Sequence, residues 1–119
     1  MNRLIEALRD IDFNKVNADD LLDKRDSKLF DAEWSRVYRT IESMKREINY
    51  PPAEKRNNAA IREKVFMKIF ALSNNGELAE YVSDDFGMIA DAKLLGYEDP
   101  WLNKLISCYE NKTIPCGSL

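Results

Sequence analysis

Residues 77–109, ELAEYVSDDFGMIADAKLLGYEDPWLNKLISCY, decide the fold. Wound at about 100° per residue, Asp84 to Leu95 spread Phe86, Met88, Ile89, Ala90, Ala92, Leu94 and Leu95 around most of the circumference. A helix apolar on nearly every side is stable only when neighbours cover it, so this stretch belongs at the centre of a helical domain. Its polar remainder is a narrow stripe, Asp84, Gly87 and Asp91, with Lys93 opposite. Glu77 to Val82 reads as a helical segment of its own. Ser83-Asp84-Asp85 then predicts a fresh N-cap followed by first-turn acids, and Gly96 fits a C-cap. Asp99 as cap with Pro100 at the first helical position predicts a last helix. Leu102, Leu105, Ile106 and Tyr109 form its buried side, with Trp101 read as core.

Working outward, Ser27 to Asn49 carries the clearest helical period upstream. Phe30, Trp34, Val37, Ile41, Met44 and Ile48 recur three and four residues apart and, with Tyr38, form one stripe. Tyr50-Pro51-Pro52 ends it, because proline disfavours helix in the residue before it and lacks an amide proton. Pro52 can then open the next helix, to about Ser73. There Ile61, Val65, Ile69 and Leu72 share one face, Phe66 and Phe70 a second, and Lys55, Arg56, Arg62, Lys64 and Lys68 lean basic. Ser73-Asn74-Asn75-Gly76 is a turn by composition. Arg3 to Asp10 and a segment capped by Asn17 read as two shorter helices. No stretch alternates with period two, so no strand is expected. The expectation is an all-α, single-domain bundle of five or six helices over residues 1–119. Helices 27–49 and 53–74 form an antiparallel pair, the C-terminal helices pack across them, and 110–119 form a flexible tail.

Composition narrows the chemistry. With no histidine, no His-based triad, Cys–His dyad or imidazole metal site can form within the chain. The four glycines stand too far apart for a phosphate-cradling loop. Cys108 and Cys116 have no metal-ligand spacing and are expected as free thiols. The opening Met1-Asn2-Arg3-Leu4-Ile5-Glu6 meets an acid too early for a secretory core, so cytoplasm is the expected compartment. Charge is uneven: residues 1–76 hold 15 Lys/Arg and 13 Asp/Glu, whereas 77–119 hold 3 and 8, so balances of +2 and −5 give the net −3.

Two groups of residues are left for function. Asp84, Asp85 and Asp91 offer carboxylates for a basic partner or, on an enzymatic reading, for a hard cation; read structurally, they are cap and solvated residues. Tyr81, Tyr97, Glu98, Asp99, Trp101 and Tyr109 form an acidic and aromatic set of the kind that anchors protein interfaces, with Asp99 also serving as a cap. A third reading places nucleic acid on the basic helix 53–74.

The run EYVSDDFGMIADAKLLGYEDPWLNKLISCYENKTIP, residues 80–115, resembles the C-terminal part of small bacterial immunity proteins, including helical ones of contact-dependent inhibition systems. Tyr81, Ser83, Asp84, Asp85, Phe86, Ile89, Ala92, Gly96, Asp99, Pro100, Trp101, Leu102, Leu105 and Tyr109 carry the likeness. The resemblance implies a non-enzymatic inhibitor without a cofactor. Such a protein binds the C-terminal domain of a toxin encoded beside it, often a nuclease acting on RNA. Its acidic C-terminal region would mimic or exclude the RNA phosphates that the toxin's basic cleft expects, and Asp84, Asp85, Asp91, Tyr81, Tyr97 and Glu98 are the expected contacts.

Overall fold

The apolar wheel of residues 84–95 is the second half of a longer helix that the rest of the chain surrounds. The structure, a computed structural model, describes all 119 residues. Its six helices are α1 (Asn2–Ala7), α2 (Ala18–Arg25), α3 (Lys28–Glu47), α4 (Pro52–Ser73), α5 (Gly76–Leu95) and α6 (Pro100–Glu110), with two single 3₁₀ turns between α1 and α2. Eleven of the 20 residues of α5 are buried, as a helix with no continuous polar face requires. The protein is a single all-α domain.

The expected restart at Ser83 does not occur. Helix α5 begins once, where the Asn75 side chain accepts the Leu78 N–H at 3.0 Å, and runs unbroken through Ser83-Asp84-Asp85. These residue types favour helix starts because their oxygens can satisfy free amides, but here they have other partners. Ser83 Oγ donates to the Arg62 carbonyl at 3.0 Å. The far end matches expectation: Gly96 adopts φ +68°, with Tyr97 N–H reaching Ala92 O and Gly96 N–H reaching Lys93 O. That pair of bonds closes the helix in a Schellman motif.

The turn at Asn74-Asn75, with Asn74 left-handed at φ +54°, folds α4 back along α5. Arg62 meets Ser83 and Asn58 meets Gly87, so the two helices run antiparallel. They approach closely at Gly87, where an added Cβ would lie 2.7 Å from Arg62 Cδ. The antiparallel neighbour of α4 is therefore α5, not α3 as the sequence suggested. Helix α5 stands between them, with α3 on its other side. The physical reason lies in the apolar wheel: α3 has one dominant stripe and α4 leaves part of its apolar surface, Phe70 and Leu72, exposed, whereas α5 is covered on two sides.

Helices α1 and α6 close the end of the bundle. The Asp99 side chain caps α6 at the Leu102 N–H, 3.0 Å, and Trp101, Leu102, Leu105 and Tyr109 are buried. The core is one cluster of 22 buried apolar residues, in which Phe30 meets Trp101 and Phe86 meets Tyr109 edge to face. Residues 110–119, expected as a flexible tail, are part of the body: Glu110 ends α6 and 111–119 fold back. Ile114 and Pro115 are buried, and the Gly117 N–H donates to the Lys24 carbonyl at 3.2 Å. Cys108 and Cys116 are both free thiols. No helix is long and apolar enough to cross a membrane.

Candidate partner-binding site

Asp85 is fully buried and is the most heavily bonded carboxylate in the molecule. The Arg25 guanidinium grips it with two bonds of 2.6 and 2.7 Å, the Trp34 indole N–H donates at 2.9 Å, and the Tyr109 hydroxyl donates to the other oxygen. Arg25 also donates to the Pro115 carbonyl at 3.2 Å and lies over the Phe30 ring, 4.3 Å from its centroid. Burial works against the Arg25 charge, but attraction to Asp85 outweighs it and holds the guanidinium above its ordinary pKa. Burial and then the Asp85 charge push the Tyr109 phenol well up. One carboxylate thus ties α2, α3, α5, α6 and the C-terminal segment together. It has no exposed surface to offer a partner.

Asp91 and Asp99 are consumed in the same way. Asp91 accepts from Lys45 at 3.1 Å, from Asn58 at 3.0 Å and from the Tyr50 hydroxyl; Lys45 also bonds Glu42 at 3.0 Å. Asp99 forms a two-pronged pair with Arg36 at 2.8 and 3.1 Å. This pairing, more than the opposing effect of burial, lowers its pKa. The three acids come from the C-terminal part of the chain, and their partners Arg25, Lys45 and Arg36 from the N-terminal part. Setting these three pairs aside changes the balances from +2 and −5 to −1 and −2. The uneven charge of the sequence is thus largely internal pairing, not an acidic outer surface.

Asp84 is different. It is exposed at the rim of a groove of about 330 Å³ whose floor is α5 and whose walls are α3 and α4. The floor is the polar stripe read from the sequence, Asp84, Gly87 and Asp91, with Met88 beside it; Trp34, Tyr38, Ile41, Glu42 and Lys45 form one wall, and Asn58 and Arg62 the other. The groove exists because α5 separates two helices that would otherwise touch. The Trp34 and Tyr38 rings stack at 5.3 Å, 16° from parallel, and Tyr38 remains 44% exposed. Crowding by surrounding protein, and then the charge of Asp85, hold the Asp84 carboxyl above the ordinary aspartate range, with Arg62 opposing.

The six expected contact residues do not converge. Tyr97 and Glu98 line a separate cleft with Gly96, Leu102 and Ile106. Tyr81 sits by α2, where its hydroxyl donates to Asp26 at 2.7 Å; that bond pushes its pKa up to about 12. Asp84, Asp85 and Asp91 do not form a cation site, and nowhere do three Asp, Glu or Cys side chains gather as one. The basic residues of α4 do not form a single face either. Lys55 and Lys64 are nine residues apart, which places them roughly 180° from each other around the axis. Sequence reasoning missed Tyr38, Trp34, Asn58 and Arg62 as groove residues. Trp34 and Tyr38 belong to the α3 stripe and read as core. Only an indole N–H on that stripe, which needs a polar partner when buried, hinted otherwise.

No curated protein is similar enough in sequence to match this chain. A family model does match it: that of "Immunity protein PIM1", over residues 3–116. The match covers almost the whole molecule, from α1 through the C-terminal segment that carries Ile114 and Pro115. It therefore includes the buried Asp85 centre, the floor and both walls of the groove, and the N-terminal two-thirds that lie outside the resemblance over residues 80–115. The chain belongs to the PIM1 family of immunity proteins.

Proposed function

We propose that this immunity protein neutralises its cognate toxin by stoichiometric binding in the cytoplasm, without enzymatic action. The toxin, on this reading, is a nuclease domain acting on RNA and delivered by contact-dependent inhibition, and the protein blocks it by covering the basic active-site cleft. The observation that carries the proposal is the groove between α3 and α4. Every buried side-chain nitrogen and oxygen in the molecule has a hydrogen-bond partner, and the deep acids are spent on the fold. Asp84, with Tyr38 and Glu42 nearby, is the acidic group left facing outward beside an aromatic platform. The net charge of −3 favours encounter with a basic surface.

The size is sufficient. A standard interface needs about 800 Å² from each partner, and the chain exposes 7183 Å², so about a ninth of its surface is enough. Covering fits better than phosphate mimicry, because Asp85 and Asp91 are buried and only Asp84 and Glu98 of the expected contact acids face outward. Tyr97 and Glu98 line a separate cleft and can join the interface only as a second contact.

Co-expression with the toxin domain encoded beside this chain tests the reading. The two are expected to co-elute as a one-to-one complex, and cells making the toxin domain are expected to keep growing and keep intact RNA. Loss of growth with the wild-type immunity protein present at equal level would overturn it.

A further inference from the structure

We infer that the α3–α4 groove is a receptor for one arginine side chain projecting from the toxin surface, stacked on Tyr38 and paired with Asp84. The inference rests on the toxin-binding reading above and names the chemistry of its central contact. Three observations carry it. First, the groove offers a rigid planar platform. Tyr38 stacks on Trp34, and Trp34 is locked because its indole N–H is held by the buried Asp85 at 2.9 Å. A planar guanidinium stacks on such a face and gains cation–π attraction there.

Second, Asp84 makes no hydrogen bond or ion pair through its side chain, whereas Asp85, Asp91 and Asp99 are each held by two or more donors. A guanidinium arriving over Tyr38 meets a carboxylate whose two oxygens are both free, the geometry that two parallel N–H bonds need. Third, the charges in the groove leave room for a cation. Three carboxylates line it, Glu42, Asp84 and Asp91, and Lys45 already bridges two of them. The only uncommitted cation is Arg62, which makes no ion pair and whose stem lies across Gly87. Arg62 is thus a built-in competitor for Asp84, and an incoming arginine displaces its influence.

The competitor gives the test a sign. Affinity for the toxin domain is measured for the wild type, Asp84→Asn, Tyr38→Ala and Arg62→Gln, all exposed positions whose folding is checked by circular dichroism. Asp84→Asn and Tyr38→Ala are each expected to weaken binding at least tenfold, and Arg62→Gln to tighten it several-fold. The reverse pattern, or three unchanged affinities, overturns the inference while leaving toxin binding itself intact. Should the wild type not bind the toxin domain, the immunity reading fails, and a second arm decides the groove. There Nα-acetyl-arginine amide and Nα-acetyl-glutamate amide are titrated separately by NMR, watching the Trp34 indole N–H and the Asp84 and Gly87 amides. Shifts with the arginine probe alone, abolished in Asp84→Asn, support it; no shifts, or shifts with the glutamate probe, overturn it.

Discussion

Single residues in this protein divide sharply between those that hold the fold and those left over. Arg25 is the clearest of the first kind. Replacing it with methionine keeps much of its volume but leaves the Asp85 carboxylate buried without its cation. Removing one partner of a buried pair is expected to cost about 3–5 kcal/mol, read as a fall in the urea midpoint with little change in slope. A comparable change at exposed Lys28 is expected to cost little. Asp99 makes a pH-dependent prediction. Its folded-state pKa is lowered by Arg36, so as pH falls the unfolded chain binds this proton first. The stability it contributes is complete above its unfolded pKa, near 3.9, and is lost as pH drops through the folded value. Asp99→Asn is therefore expected to be less stable than wild type at neutral pH, with the two urea midpoints converging as the pH falls below the ordinary aspartate range.

Among the helices, the ends matter as much as the faces. Gly96 closes α5 at φ +68° with no atom near where a Cβ would stand, so alanine there meets backbone strain alone. Gly96→Ala is expected to lose about 1 kcal/mol without disturbing the core, measurable as an unchanged near-ultraviolet dichroism with a lower melting midpoint. The expected break at Ser83 illustrates the opposite case. Ser-Asp-Asp satisfies every local rule for a helix start, yet the hydroxyl and one carboxylate have tertiary partners in Arg62 and Arg25. A local signal competes with non-local bonds, and a spacing rule sees only the first. Capping at Asn17, Gly96 and Asp99 was legible because each cap acts within three or four residues of itself.

At the scale of the whole molecule, the C-terminal segment is part of the structure and not an appendage. Deleting residues 114–119 removes buried Ile114, the carbonyl acceptor for Arg25 and the bond to Lys24. Burial of one isoleucine and loss of a charged hydrogen bond together suggest roughly 3 kcal/mol. The truncated chain is expected to unfold at clearly lower urea and to bind a hydrophobic dye if Tyr109 and Asp85 are uncovered. A full-length chain and the truncated one showing the same midpoint would mean that the segment does not contribute. The same scale explains the charge pattern. Acids concentrated late in the chain look like a binding field until the fold brings Arg25, Arg36 and Lys45 against them.

The sequence by itself determined that the chain is helical, where most helices begin and end, and that residues 84–95 lie at the centre. These follow from the period of apolar residues, from proline and from caps, all of which act over a few residues. It also carried the polar stripe Asp84–Gly87–Asp91 and, through residues 80–115, the likeness to immunity proteins. Only the tertiary structure decided that α5 stands between α3 and α4, and therefore that the stripe becomes the floor of a groove. Only it separated Asp84, which faces outward, from Asp85 and Asp91, which do not. Neighbours on a helix differ by about 100° in direction, and which direction is buried depends on what the distant chain brings to that side. Arg25 lies 60 residues from Asp85, a distance across which no local pattern carries information.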